Sequence, residues 1–193
     1  MVSATEGTLM PSILITTSRR TSNRVRSFVR DLWTVLPGTE RFNRGGMSIA
    51  ELSSRIKQSR ASAAIVVSLF KGNPRSLQIL SPDGGQIMEV RMESAKLRRE
   101  VTPLRNPKMH TIHSITVQSG AGEQTRRIAE MLSNLLDAPI AESMEIVAVG
   151  SKGTNEVVVW LQDFPTGKTI WTHYHAKDGL EIGPRMRITS VTV

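Results

Sequence analysis

The sequence contains no cysteine among its 193 residues, which excludes disulfide bonds, cysteine nucleophiles and zinc sites built from thiolates. It also lacks any apolar run of the roughly 20 residues that a membrane-spanning helix needs. Residues 1–11 have neither the basic start nor the apolar stretch of a secretory signal. We therefore expect a cytoplasmic protein that does not enter a membrane, with residues 1–11 as a loose lead-in.

Recognisable catalytic motifs are missing as well. No G-x-S-x-G motif occurs. The Gly-Lys-Thr at 167–169 does not form a P-loop, because position 162 holds Gln162 instead of glycine and the segment lies between two strand-like runs. His173 and His175 would share one face of a strand, but two imidazoles alone make a poor metal site. Nothing in the sequence therefore demands an enzyme.

Aromatic residues are scarce, at four Phe, three Trp and one Tyr. Most of them occupy positions expected in the core, so the sequence shows no row of stacking rings such as an RRM uses to bind bases. If the ligand is a nucleic acid, this scarcity favours recognition of RNA shape and backbone over base-by-base contacts.

Positive charge is what the sequence has in excess. Lys and Arg number 25 against 17 Asp and Glu, which gives a net charge of +8 and favours polyanions as partners. Five arginines and no acid lie between positions 19 and 30: Arg19, Arg20, Arg24, Arg26 and Arg30. The planar guanidinium matches the geometry of phosphate, and a merely solvated face is a weaker explanation for five arginines at one junction.

The arginines surround a predicted junction between a strand and a helix. Residues 13–17 form a short apolar run, Thr21 or Ser22 can cap a following helix, and Val25, Val29 and Leu32 recur at helical spacing. A helix N-terminus adds free backbone N–H groups for an anion. We predict a phosphate-binding site formed by the following residues: Ser18, Arg19, Arg20, Arg24, Arg26, Arg30, Lys71, Arg75 and Arg185. For Arg185, a purely structural Gly-Pro-Arg turn is the alternative.

The pattern along the chain indicates an α/β fold made of two similar halves by internal duplication. The first half covers 12–93, with strands at 13–17, 40–43, 63–69, 76–80 and 86–92 and a second helix capped by Ser48. Residues 94–110 form a crossover. The second half covers 111–193, with strands at 113–117, 144–149, 156–162, 169–175 and 181–193 and a helix at 123–136. It lacks a counterpart of the first half's second helix.

Four segments resemble Brix-domain ribosome-biogenesis proteins, particularly small archaeal members that consist of a single domain. In chain order they are ILITTSRRTSNRVRSFVRDLWTVLPGTERFNRG, AAIVVSLFKGNPRSLQIL, SPDGGQIMEVRM and LEIGPRMRITSV. Gly85-Gln86 stands where the family commonly has Pro-Thr, and Met186 stands where it usually has an aromatic residue.

The resemblance implies one Brix-like domain over 1–193, with two mixed sheets and their helices, each half resembling the anticodon-binding domain of class II aminoacyl-tRNA synthetases. It also implies direct binding to precursor rRNA in pre-ribosomal particles, alongside other assembly proteins. By the same resemblance we expect no enzymatic activity and no cofactor, metal ion or small-molecule substrate. The alternatives are a tRNA-directed binding module and a protein–protein scaffold whose basic face meets an acidic partner.

Overall fold

One mixed sheet of ten strands, with four helices, accounts for the regular structure in a computed structural model that describes residues 13–103, 108–146, 148–150 and 155–193. The helices are α1 (Asn23–Val35), α2 (Ile49–Gln58), α3 (Arg98–Val101) and α4 (Glu123–Leu136). The strands are β1 (Ile13–Thr17), β2 (Thr39–Arg41), β3 (Ala63–Phe70), β4 (Asn73–Leu80), β5 (Gln86–Lys96), β6 (Thr111–Gln118), β7 (Ile140–Ser143), β8 (Glu156–Phe164), β9 (Lys168–His175) and β10 (Arg185–Thr192).

The strand order across the sheet is β2-β1-β3-β4-β5-β10-β9-β8-β6-β7. β1 pairs in parallel with β2 and β3, and β6 pairs in parallel with β7 and β8. All other pairs are antiparallel, including the central pair of β5 and β10. Consequently the carboxyl ends of β1, β2 and β3 lie at one edge of the sheet, and those of β6, β7 and β8 lie at the opposite edge.

The main core lies between one face of the sheet and helices α1 and α4. Val25, Phe28, Val29 and Leu32 of α1 are buried there, because their spacing places them on one side of the helix. Helix α2 packs on the opposite face, where Leu52 and Ile56 contact a second, smaller cluster beneath β1 and β3. In the second half, the described residues between α4 and β8 contain β7 and no helix.

Most predicted elements are confirmed, and one is wrong. The strand at 13–17, the helix capped by Ser22 and the helix at 123–136 match the structure. The strand predicted at 144–149 does not form in the described residues of that range, and the exposed edge strand β7 precedes it instead. Within 94–110, β5 continues to Lys96 and α3 follows. The sequence SKGTN at 151–155 is typical of a turn, and its first four residues lie outside the described residues.

The α/β class is therefore confirmed. The expectation of two mixed sheets is wrong, because β5 pairs with β10 and joins the strands on either side into one sheet of ten strands. Among the helices of the described ranges, none is long and apolar enough to span a membrane.

Candidate nucleic-acid interface

Three loops meet at the edge of the sheet where β1, β2 and β3 end. We call this surface the arginine edge and define it as residues 18–22, 41–47 and 71–72. The Ser22 hydroxyl donates a hydrogen bond to the Gly72 carbonyl at 2.6 Å, and Arg19 Nε donates to the Met47 carbonyl at 3.3 Å. Parallel pairing explains the meeting, since all three strands run toward this edge. The fold thus brings the Lys71 turn beside the arginine-rich loop.

Helix α1 presents its N-terminus at the arginine edge without a carboxylate in its first turn. The Ser22 hydroxyl accepts a hydrogen bond from the Val25 N–H at 3.1 Å and leaves other N–H groups of the first turn without an intrahelical acceptor. The positive end of the helix dipole adds to the attraction for an anion. Ser18 sits at the start of the loop, where its hydroxyl donates to the Arg20 carbonyl at 2.6 Å.

The N-terminus of α4 is different because the chain supplies its own anion there. One Asp163 carboxylate oxygen accepts the Gly122 N–H at 2.8 Å, and the other accepts the Thr125 hydroxyl at 2.6 Å. Glu123 adds a further negative charge in the first turn. An external phosphate would meet this carboxylate, so the two helix N-termini are not equivalent as anion sites.

Guanidinium groups crowd the arginine edge. Arg19, Arg20 and Arg26 are exposed, and among the described residues the Arg20 side chain makes no hydrogen bond or ion pair. Arg26 lines a small cavity of about 130 Å³ together with Arg41, Phe42 and Asn43. The cluster of like charges, with no acid inside it, creates a local positive potential.

Arg41 and Arg44 join this edge although the sequence-based site did not include them. Arg44 is buried, and its guanidinium donates to the Met47 carbonyl at 2.9 Å. Burial lowers the pKa of Arg44, with a smaller contribution from the positive charge of Arg19. The signal that could have found both residues is the parallel pairing of β2 with β1, which places the end of β2 beside the loop after β1.

Lys71 lies in the turn before β4 and Arg75 lies near the start of β4, and both side chains are close to the Phe70 ring. Lys71 Nζ is 5.5 Å and Arg75 Cζ is 5.7 Å from the ring centroid. Arg75 also donates to the Met92 carbonyl at 3.3 Å. Phe70 itself is 58% exposed, although most aromatic residues are expected in the core from their positions in the sequence.

Two predicted site arginines form ion pairs within the protein. Arg24 makes two hydrogen bonds to Glu100, at 2.6 and 2.8 Å, and one to the Ala95 carbonyl at 3.1 Å. The pairing raises the pKa of Arg24 and lowers that of Glu100 to about 2, mainly through the hydrogen bond between the two side chains. The Arg24 charge is therefore already neutralised within the fold.

Arg185 is similarly paired, and it lies at the start of β10, three strands across the sheet from β3. Its Nε donates a hydrogen bond to Glu181 Oε1 at 2.7 Å, and its Nη2 donates to Glu181 Oε2. It lines a cavity of about 330 Å³ between β5, β8, β9 and β10.

Arg30 is exposed on α1, one turn beyond Arg26. Of the predicted set, the arginine edge therefore contains Ser18, Arg19, Arg20 and Lys71, and Arg26 and Arg75 lie beside it.

No protein-family model matches the chain. Over 70 residues it is 41% identical to a probable Brix domain-containing ribosomal biogenesis protein of Aeropyrum pernix, covering 36% of this chain and 39% of that protein. A protein of the same description from Thermococcus kodakarensis is 23% identical over 168 residues, which cover 82% of this chain and 79% of that protein. The chain is similar in sequence to Brix-domain proteins.

Other similarities agree with this Brix-domain relationship. The U3 small nucleolar ribonucleoprotein protein IMP4 of Saccharomyces cerevisiae is 25% identical over 151 residues, covering 78% of this chain and 52% of that protein. A crystal structure of a probable ribosomal biogenesis protein from Aeropyrum pernix K1 superimposes with a TM-score of 0.72 at 24% identity, over 93% of this chain and 96% of that one. An archaeal Imp4-like protein superimposes with a TM-score of 0.61 at 22% identity.

The match spans only part of the first curated relatives, at 39% of the Aeropyrum protein and 52% of yeast IMP4. The two superpositions show that this chain shares the fold of the two archaeal proteins. The resemblance inferred from the four sequence segments is thus confirmed.

Proposed function

We propose that this protein binds precursor ribosomal RNA and acts, without catalysis, in ribosomal subunit assembly and rRNA processing. The observation that carries the proposal is the arginine edge, where exposed guanidinium groups and an acid-free helix N-terminus converge. Phosphate contacts in nucleic-acid complexes come from these same groups. The curated relatives support the biological setting, since they include ribosomal biogenesis proteins and a U3 small nucleolar ribonucleoprotein protein.

The chemistry of the edge favours the phosphate backbone as the main contact. Arg19, Arg20 and Lys71 are exposed. None of them forms an ion pair within the described ranges, although the Arg19 charge helps to lower the pKa of Glu51, so each can release counterions when it meets a phosphate. Because α1 is anchored to the sheet and its cap is tied to Gly72, the charges are held in a fixed arrangement. Binding would stabilise one conformation of a precursor RNA while assembly or processing proceeds, with pre-ribosomal particles and other assembly proteins as partners.

The proposal extends to the origin of the fold. From the central pair outward, the strand order is β5, β4, β3, β1, β2 on one side and β10, β9, β8, β6, β7 on the other. On each side the last three strands are parallel, and the middle one of the three, β1 or β6, is followed in the chain by a long helix, α1 or α4. This correspondence supports a duplication with halves at 12–93 and 111–193. The likeness of each half to a synthetase anticodon-binding domain, and a cytoplasmic location, stay predictions.

A binding assay tests the function. The chain is titrated into labelled precursor rRNA segments that span a spacer boundary, into the matching mature rRNA and into tRNA, each at several salt concentrations. We expect salt-sensitive binding with a preference for precursor rRNA. A preference for tRNA would support the tRNA-directed module instead, and absence of salt-sensitive RNA binding would support an acidic protein partner. Either result would overturn the proposal.

A further inference from the structure

Phe70 combines exposure, aromatic character and position in a way that no other described residue does. Its side chain is 58% exposed, and it is the one aromatic among the large exposed apolar residues of the described ranges. It ends β3 directly before Lys71 and Gly72. Since Ser22 holds Gly72 by a hydrogen bond, the ring borders the arginine edge.

The surroundings of the ring suit a flat, partly polar ligand. Lys71 and Arg75 lie at 5.5 and 5.7 Å from its centroid, at the long end of the cation–π range, and they leave more than half of the side chain open to solvent. The ring lines a cavity of about 360 Å³ whose other walls include Asn73 and Ser94. These two side chains offer hydrogen-bonding groups beside an aromatic face.

We propose that Phe70 stacks on an unpaired base of the bound RNA while Lys71 and the arginine edge hold the adjoining phosphates. The inference rests on the proposed RNA-binding function and deepens it by naming the ligand class as a single-stranded segment. A base inside a continuous duplex is already stacked on both sides and cannot offer a face to the ring. Stacking of this kind tolerates any base, because every base has a π-face.

The test compares variants on two probes, a labelled single-stranded oligoribonucleotide and a fully paired duplex of the same length. Phe70→Leu keeps an apolar side chain but removes the ring, and Phe70→Trp keeps a ring. We expect Phe70→Leu to weaken binding of the single strand by roughly 5- to 100-fold, with an unchanged salt slope, and Phe70→Trp to retain affinity. Duplex binding should not change. Ile140→Ala, which alters an exposed apolar residue on β7, is the matched control.

Three results would overturn the inference. Phe70→Leu could bind the single strand within twofold of the wild type. It could lose the same factor of affinity for the single strand and for the duplex, or Ile140→Ala could lose as much affinity for the single strand as Phe70→Leu. Thermal unfolding of each variant confirms that the fold is intact. Loss of affinity in Arg19 and Arg20 variants alongside any of these results leaves the RNA-binding function standing. A wild-type chain that binds neither probe contradicts that function together with the inference.

Discussion

Removing charge from the arginine edge should change how RNA binding depends on salt. We consider Arg19→Gln, Arg20→Gln and Lys71→Gln combined, because glutamine keeps much of the side-chain length and removes the positive charge. All three residues are exposed. Within the described residues, their side chains make only one hydrogen bond, from Arg19 to Met47, and one cation–π contact, from Lys71 to Phe70. The triple variant should therefore fold normally.

The magnitude follows from counterion release. Each phosphate contact contributes about 0.7 to the slope of log K against log salt for single strands and about 0.9 for a duplex. Three lost contacts should lower the slope by about 2. If the lines for wild type and variant meet near 1 M salt, the variant should bind about 100-fold more weakly at 0.1 M.

Fluorescence anisotropy with a labelled precursor rRNA segment, at salt concentrations from low to high, measures both quantities. Arg60→Gln is the matched control. Arg60 is exposed, has a positive φ as Lys71 does, and precedes β3 at the opposite edge of the sheet. Phosphate binding by the arginine edge is refuted if the triple variant keeps the wild-type slope and affinity. It is also refuted if the single charge removed in Arg60→Gln lowers the slope and the affinity by a third of the effect of the triple variant.

Three further predictions concern groups whose roles are internal. Burial lowers the pKa of His173 from 6.5 to about 4, so as the pH falls between these values the unfolded chain alone takes up the proton, and His173 should lower the free energy of unfolding by about 1.4 kcal/mol per pH unit. Urea titrations of wild type and His173→Gln should differ by this pH dependence, and equal pH dependence would contradict it. Arg24→Gln should cost about 1 kcal/mol of stability or less, because its pair with Glu100 is partly exposed, and should leave the salt slope of RNA binding unchanged; a lowered slope would show that Arg24 does contact phosphate. Asp163→Asn should lower stability by about 1 kcal/mol, measured by urea unfolding, because it removes the charged acceptor at the N-terminus of α4; undiminished stability would refute that capping role.

Local patterns in the sequence predicted the parts of the fold that depend on local physics. The spacing of Val25, Val29 and Leu32 predicted α1 because helix periodicity puts such residues on one buried side. The strand predicted at 144–149 was wrong because an apolar run does not distinguish a strand from irregular structure. β7 contributes little to the core, with Ile140 45% exposed, so it carries no periodic signal.

The composition of the site depended on contacts between distant residues. Arg24 pairs with Glu100, which is 76 positions away, and no spacing rule could separate it from Arg20 or Arg26. Asp31 shows the same limit. It is buried within α1, and its carboxylate accepts the Arg98 N–H at 2.9 Å. Burial raises its pKa in spite of that bond. Such partners become visible only when the chain has folded.

Crosslinking in the native cell tests whether the protein binds precursor rRNA. Ultraviolet light fixes the protein to the RNA it contacts, and the attached RNA is then sequenced. We expect the sequences to cluster on precursor rRNA and to include spacer regions that mature ribosomes lack. Sequences dominated by tRNA, or recovery of RNA no greater than from a control without crosslinking, would contradict it.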